Sequence, residues 1–162
     1  MKFCDNRTIV QLQGLLMKLS PESVHLFTRK VFKVYGQTTE VLDDSLSFYG
    51  SDIFTSWIQL EGTGVWTVLV TYSKELAAEI AHNMYKDDLD EITTDLVMDV
   101  AGEMTNILAG HLKVLMDPLA ATSPPSVEEN VEYEDLFPEA NPVVELNLTC
   151  QGNPCKVVVI EG

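Results

Sequence analysis

The feature that most constrains the fold is a long amphipathic stretch from about Ile92 to Met116. At about 100° per residue, apolar side chains recur on one side of the stretch and polar side chains on the other, which predicts a helix packed against a core. An acidic segment at 87–91 precedes it, where negative charge suits the helix dipole, and Pro118 follows it. The apolar side comprises Leu96, Val97, Val100, Ala101, Met104, Ile107, Leu108 and Leu115.

The polar side of this helix carries residues that a solvated helix face does not usually favour. Asn106 has a short amide that competes with backbone groups, and Gly102 and Gly110 each cost up to about 1 kcal/mol relative to Ala inside a helix. The spacing places Glu103 and Asn106 side by side and outward, with Asp99 one turn earlier. Such spacing alone more often marks an ordinary polar face than a site. The polar stripe, called the ridge below, comprises Asp95, Asp99, Glu103, Asn106, Gly110 and Lys113.

Two hairpins are predicted from β-branched and aromatic runs on either side of glycine-containing turns. The first joins residues 53–60 to 65–72, and the second joins 143–150 to 156–160 around Gly152-Asn153-Pro154. A further strand is predicted for 127–133, where apolar and polar residues roughly alternate. These runs predict an antiparallel sheet.

Two further helices are predicted from their N-terminal caps. Ser20, followed by a proline, precedes one apolar helical stripe, and Ser73 precedes another. Residues 1–20 are interpreted as an N-terminal helical arm, and residues 21–162 as the main domain. The order of helices and strands predicts an α+β fold with long helices packed on one face of the antiparallel sheet.

The composition excludes several classes of partner. Ten basic against 25 acidic residues give a net charge of −15, which opposes binding to nucleic acids and to anionic membranes. No apolar run approaches the roughly 18 residues of a membrane span, and the first residues lack the apolar core of a signal peptide. We therefore expect a soluble, cytoplasmic protein.

The cysteines show no metal-binding pattern. Cys4, Cys150 and Cys155 lack a Cys-x-x-Cys spacing, and the three histidines are scattered. Cys150 and Cys155 could approach each other across a hairpin, but reduced thiols that pack in the core are the more common outcome in a cytosolic protein. We expect this chain to bind no metal.

The amino-acid sequence of the long helix resembles the signature helix of the CheC/CheX/FliY family of chemotaxis phosphatases. The resemblance is carried by the run Gly102-Glu103-Met104-Thr105-Asn106-Ile107-Leu108-Ala109-Gly110, preceded by Asp99 and followed by Lys113. The hairpin at 53–72 and the helix after it occur in the family's order, so the resemblance covers roughly residues 21–160.

One signature motif is complete, which is similar to CheX rather than to members with two. The earlier helix has His25 where a second signature asparagine would stand. CheC-type members also carry a proline at the position of Glu129, whereas Pro124 and Pro125 lie a few residues earlier here. The acidic stretch 128–139 has no counterpart that the resemblance assigns.

The resemblance implies a phosphatase that hydrolyses the aspartyl phosphate of a CheY-type response regulator. Asn106 would hold the attacking water, since an amide both donates and accepts hydrogen bonds at any ordinary pH. Glu103 would pair with a lysine beside the partner's phosphoaspartate, and Mg²⁺ would come with the regulator's own acidic site. Asp99 would either contribute to docking or be an ordinary solvent-exposed residue of the ridge. Gly102 and Gly110 would let the partner approach, although close packing within this chain explains small residues equally well.

Assembly and pathway are less constrained. CheX-like members form dimers through their sheets, so we expect a homodimer. The alternative to an enzyme is a non-catalytic adaptor of the same fold that binds a signalling or flagellar-switch partner.

Overall fold

The two predicted hairpins form the centre of one antiparallel sheet in the computed structural model, which describes residues 18–42, 48, 52–86 and 88–162. The predicted N-terminal arm, apart from residues 18–20, lies outside the described residues. The elements, in chain order, are α1 (Pro21–Val34), β1 (Thr39–Val41), β2 (Ile53–Glu61), β3 (Val65–Ser73), α2 (Lys74–Tyr85), a 3₁₀ turn (Leu89–Glu91), α3 (Thr94–Met116), β4 (Ala121–Thr122), β5 (Ser126–Glu129), α4 (Tyr133–Leu136), β6 (Pro142–Cys150) and β7 (Asn153–Glu161).

The sheet has seven strands in the order β1-β6-β7-β3-β2-β4, with β5 also paired to β2. The first hairpin keeps one register from Ile53 opposite Ser73 to Glu61 opposite Val65. β3 and β7 lie at the centre, and their mainly apolar residues are buried on both faces. The three long helices contact one face of this sheet, which confirms the predicted α+β arrangement.

The turn of the second hairpin lies one residue earlier than predicted. Gln151 and Gly152 form it, both with positive φ (51° and 85°), and Asn153 and Pro154 already belong to β7. Two consecutive residues of positive φ match the right-handed twist of the flanking strands, so a two-residue turn joins them tightly.

The predicted strand 127–133 is wrong in its second half. β5 ends at Glu129, Asn130 adopts a positive φ of 57°, and Tyr133 begins a short helix. Asn130 ends the ladder because its backbone N–H donates to the carbonyl of Ile53 at 2.8 Å while its side-chain Oδ1 accepts from the Ile53 N–H at 3.1 Å. The chain then crosses to the face of the sheet opposite α3.

The acidic stretch 128–139 packs, from Tyr133 onward, against the face of the sheet opposite α3. Tyr133 is buried there and its hydroxyl donates to Glu145 at 2.9 Å, while burial raises its pKa. The buried ammonium group of Lys156 lies 3.7 Å from Glu134 and 3.6 Å from Glu145. A small apolar cluster lies between this segment and the sheet. It is formed by Leu69, Tyr133, Val158 and Ile160 with Trp57, Phe137 and Ala140.

The main core lies between the sheet and the three long helices. Val24 and Phe32 of α1, Leu76 and Ile80 of α2, and the apolar side of α3 are all buried in it. In the part of the chain that the structure describes, no helix combines the length and apolar character needed to cross a membrane.

Asp117 ties the end of α3 to the tip of the first hairpin. Its Oδ2 accepts from the backbone N–H and the hydroxyl of Thr63 at 2.9 and 3.1 Å, and its Oδ1 accepts from the Leu119 N–H at 3.2 Å. A Cβ on Gly62 would clash with Oδ2 of Asp117, so glycine is required for this approach. The N–H of Thr63, donating to Asp117, holds the pKa of that carboxyl below its usual value.

Asp117 is expected to make stability depend on pH. The pKa of Asp117 is lower in the folded protein than its value of about 3.9 in the unfolded chain. The ionised carboxyl therefore contributes fully to the free energy of unfolding above the unfolded pKa, and this contribution is lost as the pH falls through the folded pKa. Wild type should therefore resist urea better than Asp117→Asn at pH 7, and the difference should shrink below about pH 4. Urea midpoints of both proteins between pH 7 and pH 3 measure this, and a difference independent of pH would contradict it.

Candidate functional site

The ridge lies on α3, on the side opposite the sheet. Thr93 caps the helix, its Oγ1 accepting from the Leu96 N–H at 3.3 Å, and Asp95 in the first turn suits the helix dipole. The helix therefore begins at Thr94, two residues later than predicted. Its buried side comprises Val97, Val100, Ala101, Gly102, Met104, Thr105, Leu108, Ala109 and Leu112.

The structure presents the two central side chains of the ridge to solvent. Glu103 and Asp99 are exposed, and Asn106, one turn after Glu103, is half-buried. Within the described residues, no hydrogen bond or ion pair occupies the Glu103 carboxylate or the Asn106 amide. Both groups are therefore available to another molecule.

Gly102 is buried and does not form part of the exposed surface. A Cβ at this position would lie 3.3 Å from Cγ2 of Val127 and 3.4 Å from Cβ and Cγ of Pro125. Of the two explanations for this glycine, packing within the chain fits its surroundings, because the segment leading into β5 crosses directly over it.

Gly110 has a different environment. It is exposed, and a Cβ there would meet nothing within 4 Å. Packing within the described chain does not account for this glycine, which lies one turn after Asn106 on the same side of α3.

At the position where the resemblance expects a proline, Glu129 accepts a hydrogen bond from the ammonium group of Lys74 at 2.6 Å. This hydrogen bond is the main reason that the pKa of Lys74 is raised. The contact joins β5 to the start of α2, and the proline that touches α3 is Pro125. Glu129 therefore links β5 to α2 at the position where the resemblance expects a proline.

His25, which stands at the place of a second signature asparagine, is held by its own chain. Its Nε2 lies 3.3 Å from the hydroxyl of Thr39 in β1, and burial together with the nearby Arg29 lowers its pKa. The imidazole is half-buried at the edge of the sheet. In this it differs from Asn106, whose amide has no hydrogen-bond partner among the residues that the structure describes.

Cys4 lies outside the described residues, and the other candidate ligands and nucleophiles do not form a cluster. Among the described residues, no group of three His, Cys, Asp or Glu side chains could hold a metal ion. Cys150 and Cys155 are buried free thiols, and burial raises the pKa of Cys155. They pack as thiols in the core.

One polar contact beneath the ridge was not anticipated from the sequence. The hydroxyl of Tyr72, in β3, lies 3.0 Å from that of Thr105, which donates to the carbonyl of Ala101 at 3.0 Å. The alternation of β3 indicates only that Tyr72 faces a core, and Thr105 falls on the apolar side of α3, so no local signal connects them.

Comparison with known proteins gives a match to one family model, described as chemotaxis phosphatase CheX, over residues 54–148. The matched region includes all of the first hairpin except Ile53, and all of α3. A sequence search of curated proteins finds no match to this chain.

Several solved structures share the fold. The chemotaxis protein CheX from Desulfovibrio desulfuricans is 15% identical, with a TM-score of 0.62 over 87% of this chain and 97% of its own. CheX from Vibrio vulnificus is 14% identical, with a TM-score of 0.63 over 86% and 93%. The CheX–CheY–BeF₃–Mg²⁺ complex from Borrelia burgdorferi contains a chain 17% identical, with a TM-score of 0.51 over 85% and 96%.

Proposed function

The chain belongs to the chemotaxis phosphatase CheX family, and we propose that it hydrolyses the aspartyl phosphate of a CheY-type response regulator. The observation that carries the proposal is the ridge, where Glu103 and Asn106 face solvent one helical turn apart with no partner among the described residues. The Borrelia burgdorferi structure, a complex of CheX with CheY, BeF₃ and Mg²⁺, supports the same class of partner.

Asn106 is proposed to position the attacking water. Hydrolysis of an acyl phosphate requires water in line with the leaving oxygen, and catalysis of such steps depends chiefly on positioning and on managing charge. A carboxamide can accept from the water through its oxygen and donate through its nitrogen, without titrating near neutral pH. The half-buried position of Asn106 limits its rotamers more than a fully exposed one would.

Glu103 is proposed to anchor the regulator rather than to attack. Its exposed carboxylate can reach a lysine beside the partner's phosphoaspartate, and desolvation in the complex strengthens such a pair. Mg²⁺ would be held by the regulator's own acidic residues. Asp99, exposed one turn earlier, adds negative charge to the same surface, and we propose that it contributes to docking.

We also propose a cytoplasmic homodimer formed through a sheet edge. The described sheet ends at β1 on one side and at β4 and β5 on the other. β5 carries the exposed Glu128 and Glu129, and charged side chains on an edge oppose strand addition. The β1 edge carries one exposed carboxylate, that of Glu40, beside the exposed Val41, and is therefore the better candidate.

The deciding experiment is a time course of phosphate loss from a purified regulator labelled on its aspartate with ³²P. Substoichiometric amounts of this protein should accelerate the loss and turn over many times. Binding of the phosphorylated regulator without a faster loss of label would instead indicate an adaptor. A panel of regulators from the same genome identifies the substrate.

Gly110→Ala is expected to separate stability from activity. Alanine in an exposed helical position should raise the free energy of unfolding by up to about 1 kcal/mol, because nothing opposes the new methyl group. If the regulator approaches α3 closely beside Asn106, the same methyl should raise KM for the phosphorylated regulator. Urea unfolding and initial rates measure the two effects. An unchanged KM would show that Gly110 lies outside the contact.

A further inference from the structure

Tyr72 and Thr105 form a buried polar contact between the centre of the sheet and α3. Both residues are 0% exposed, and their hydroxyl oxygens lie 3.0 Å apart. The Thr105 hydroxyl donates to the carbonyl of Ala101, so the Tyr72 hydroxyl must be the donor in the first bond. The resulting chain of hydrogen bonds runs in one direction, from β3 to the backbone of α3.

The phenol ring that makes this contact is itself held in place. Tyr72 pairs with Phe54 of β2 on one side and with Cys155 of β7 on the other. Its ring stacks on Phe32 of α1, with centroids 6.2 Å apart and planes inclined by 19°. The hydroxyl is therefore a fixed point under α3.

A directional contact matters here because the other buried residues of α3 are apolar or glycine, and the polar contact of Asp117 lies beyond the last residue of the helix. Side chains such as Met104 and Leu108 fill the space under α3, but apolar packing is non-directional. A rotation of α3 about its own axis by about 20° would move atoms at a side-chain radius of 5–6 Å by about 2 Å. A misplacement of about 1 Å can reduce the rate of a catalysed reaction by about 10²-fold.

We infer that Tyr72 and Thr105 are positioning residues, whose hydrogen bond sets the rotation of α3 and thereby the direction in which Asn106 and Glu103 face. The inference rests on the proposed function, because the atoms it places are those proposed to meet the regulator. Thr105 is the residue directly before Asn106, so the position of its side chain determines the direction of its neighbour.

The test uses three variants and one rescue. Tyr72→Phe and Thr105→Val each remove one hydroxyl, and Thr105→Val leaves the Tyr72 hydroxyl buried without a partner, which should lower Tm by several degrees. The double variant removes both hydroxyls and should recover part of that loss, since an apolar pair leaves no orphaned group. Thr105→Ser keeps the hydroxyl and should retain turnover.

The structure offers a matched control in the same strand. Thr71, the residue before Tyr72, is also buried, and its hydroxyl lies 3.1 Å from that of Thr55. It lies on the face of the sheet opposite α3, as the alternation of β3 requires. Thr71→Val should lower Tm without changing kcat, if only the contact to α3 positions the ridge.

The expected result is that the double variant, measured well below its Tm, has kcat about tenfold lower than wild type, with a smaller change in KM for the phosphorylated regulator. The inference would be overturned if kcat fell in step with Tm across all variants, or if the double variant had the kcat of wild type. Either outcome would leave the proposed function intact. If wild type does not accelerate dephosphorylation at all, the proposed function fails. The side-chain amide NMR signals of Asn106 then decide: a shift between wild type and the double variant, absent in Thr71→Val, supports the positioning role, and unchanged signals overturn it.

Discussion

Asn106→Ala is expected to remove most of the acceleration of regulator dephosphorylation, with kcat lower by about 10²-fold. The alanine leaves the attacking water without the amide that would hold it in line with the leaving oxygen. Docking should survive, because the other exposed residues of the ridge remain. A KM close to that of wild type, together with the low kcat, is the expected signature.

Asn106→Asp tests the chemistry of the amide at nearly constant shape. A carboxylate can accept from the water but cannot donate to it, and it adds negative charge beside a phosphoryl group. We expect this variant to be about as slow as Asn106→Ala. Asn141→Ala, an exposed asparagine in the segment between α4 and β6, is the matched control and should behave as wild type. Turnover of Asn106→Ala within about twofold of wild type would show that another group positions the water.

The parts of the fold that could be predicted from the sequence are those set by local pattern. α3 extends over 23 residues, so its helical periodicity is unambiguous, and the outward placement of Glu103 and Asn106 follows from spacing alone. The first hairpin is similarly local, because its strands are adjacent in the chain and its turn contains two glycines.

The elements that the sequence did not reveal depend on distant contacts. β1 has three residues and exists because Thr39 pairs with Cys150, more than a hundred residues away. The end of β5 is set by the hydrogen bonds between Asn130 and Ile53, and the short helix that follows is held by Tyr133 and its contact with Glu145. No alternation of hydrophobic residues encodes such contacts.

The same distinction applies to the candidate site. The sequence offers packing and partner approach equally as explanations for Gly102 and Gly110, and only the fold shows that Val127 and Pro125 lie close to Gly102 while Gly110 faces open space. The link between Tyr72 and Thr105 likewise joins two elements through a tertiary contact. A sequence can therefore indicate which side chains form the ridge, whereas what holds the ridge in its orientation needs the fold.

Glu103→Lys is expected to raise KM for the phosphorylated regulator by about 10²-fold or more, because it replaces an attractive pair with two like charges, which costs several kcal/mol at an interface. Glu103→Ala should have a smaller effect, since it removes the attraction without adding repulsion. At saturating regulator both variants should keep a large share of the wild-type kcat, since Asn106 is unchanged. The Glu103 variants should therefore change mainly KM, whereas the Asn106 variants should change mainly kcat.

Salt dependence gives an independent measure of the same pair. Raising the ionic strength from about 0.05 to about 0.5 M shortens the screening length of charge interactions about threefold, to about 4 Å. The wild-type KM should therefore rise with salt more steeply than that of Glu103→Ala, and the KM of Glu103→Lys should fall as the repulsion is screened. Glu139→Lys, which makes the same charge change at an exposed position on the opposite side of the sheet, is the matched control. If Glu139→Lys weakens the regulator complex as much as Glu103→Lys does, the effect is that of net charge, and a specific pair at the ridge is contradicted.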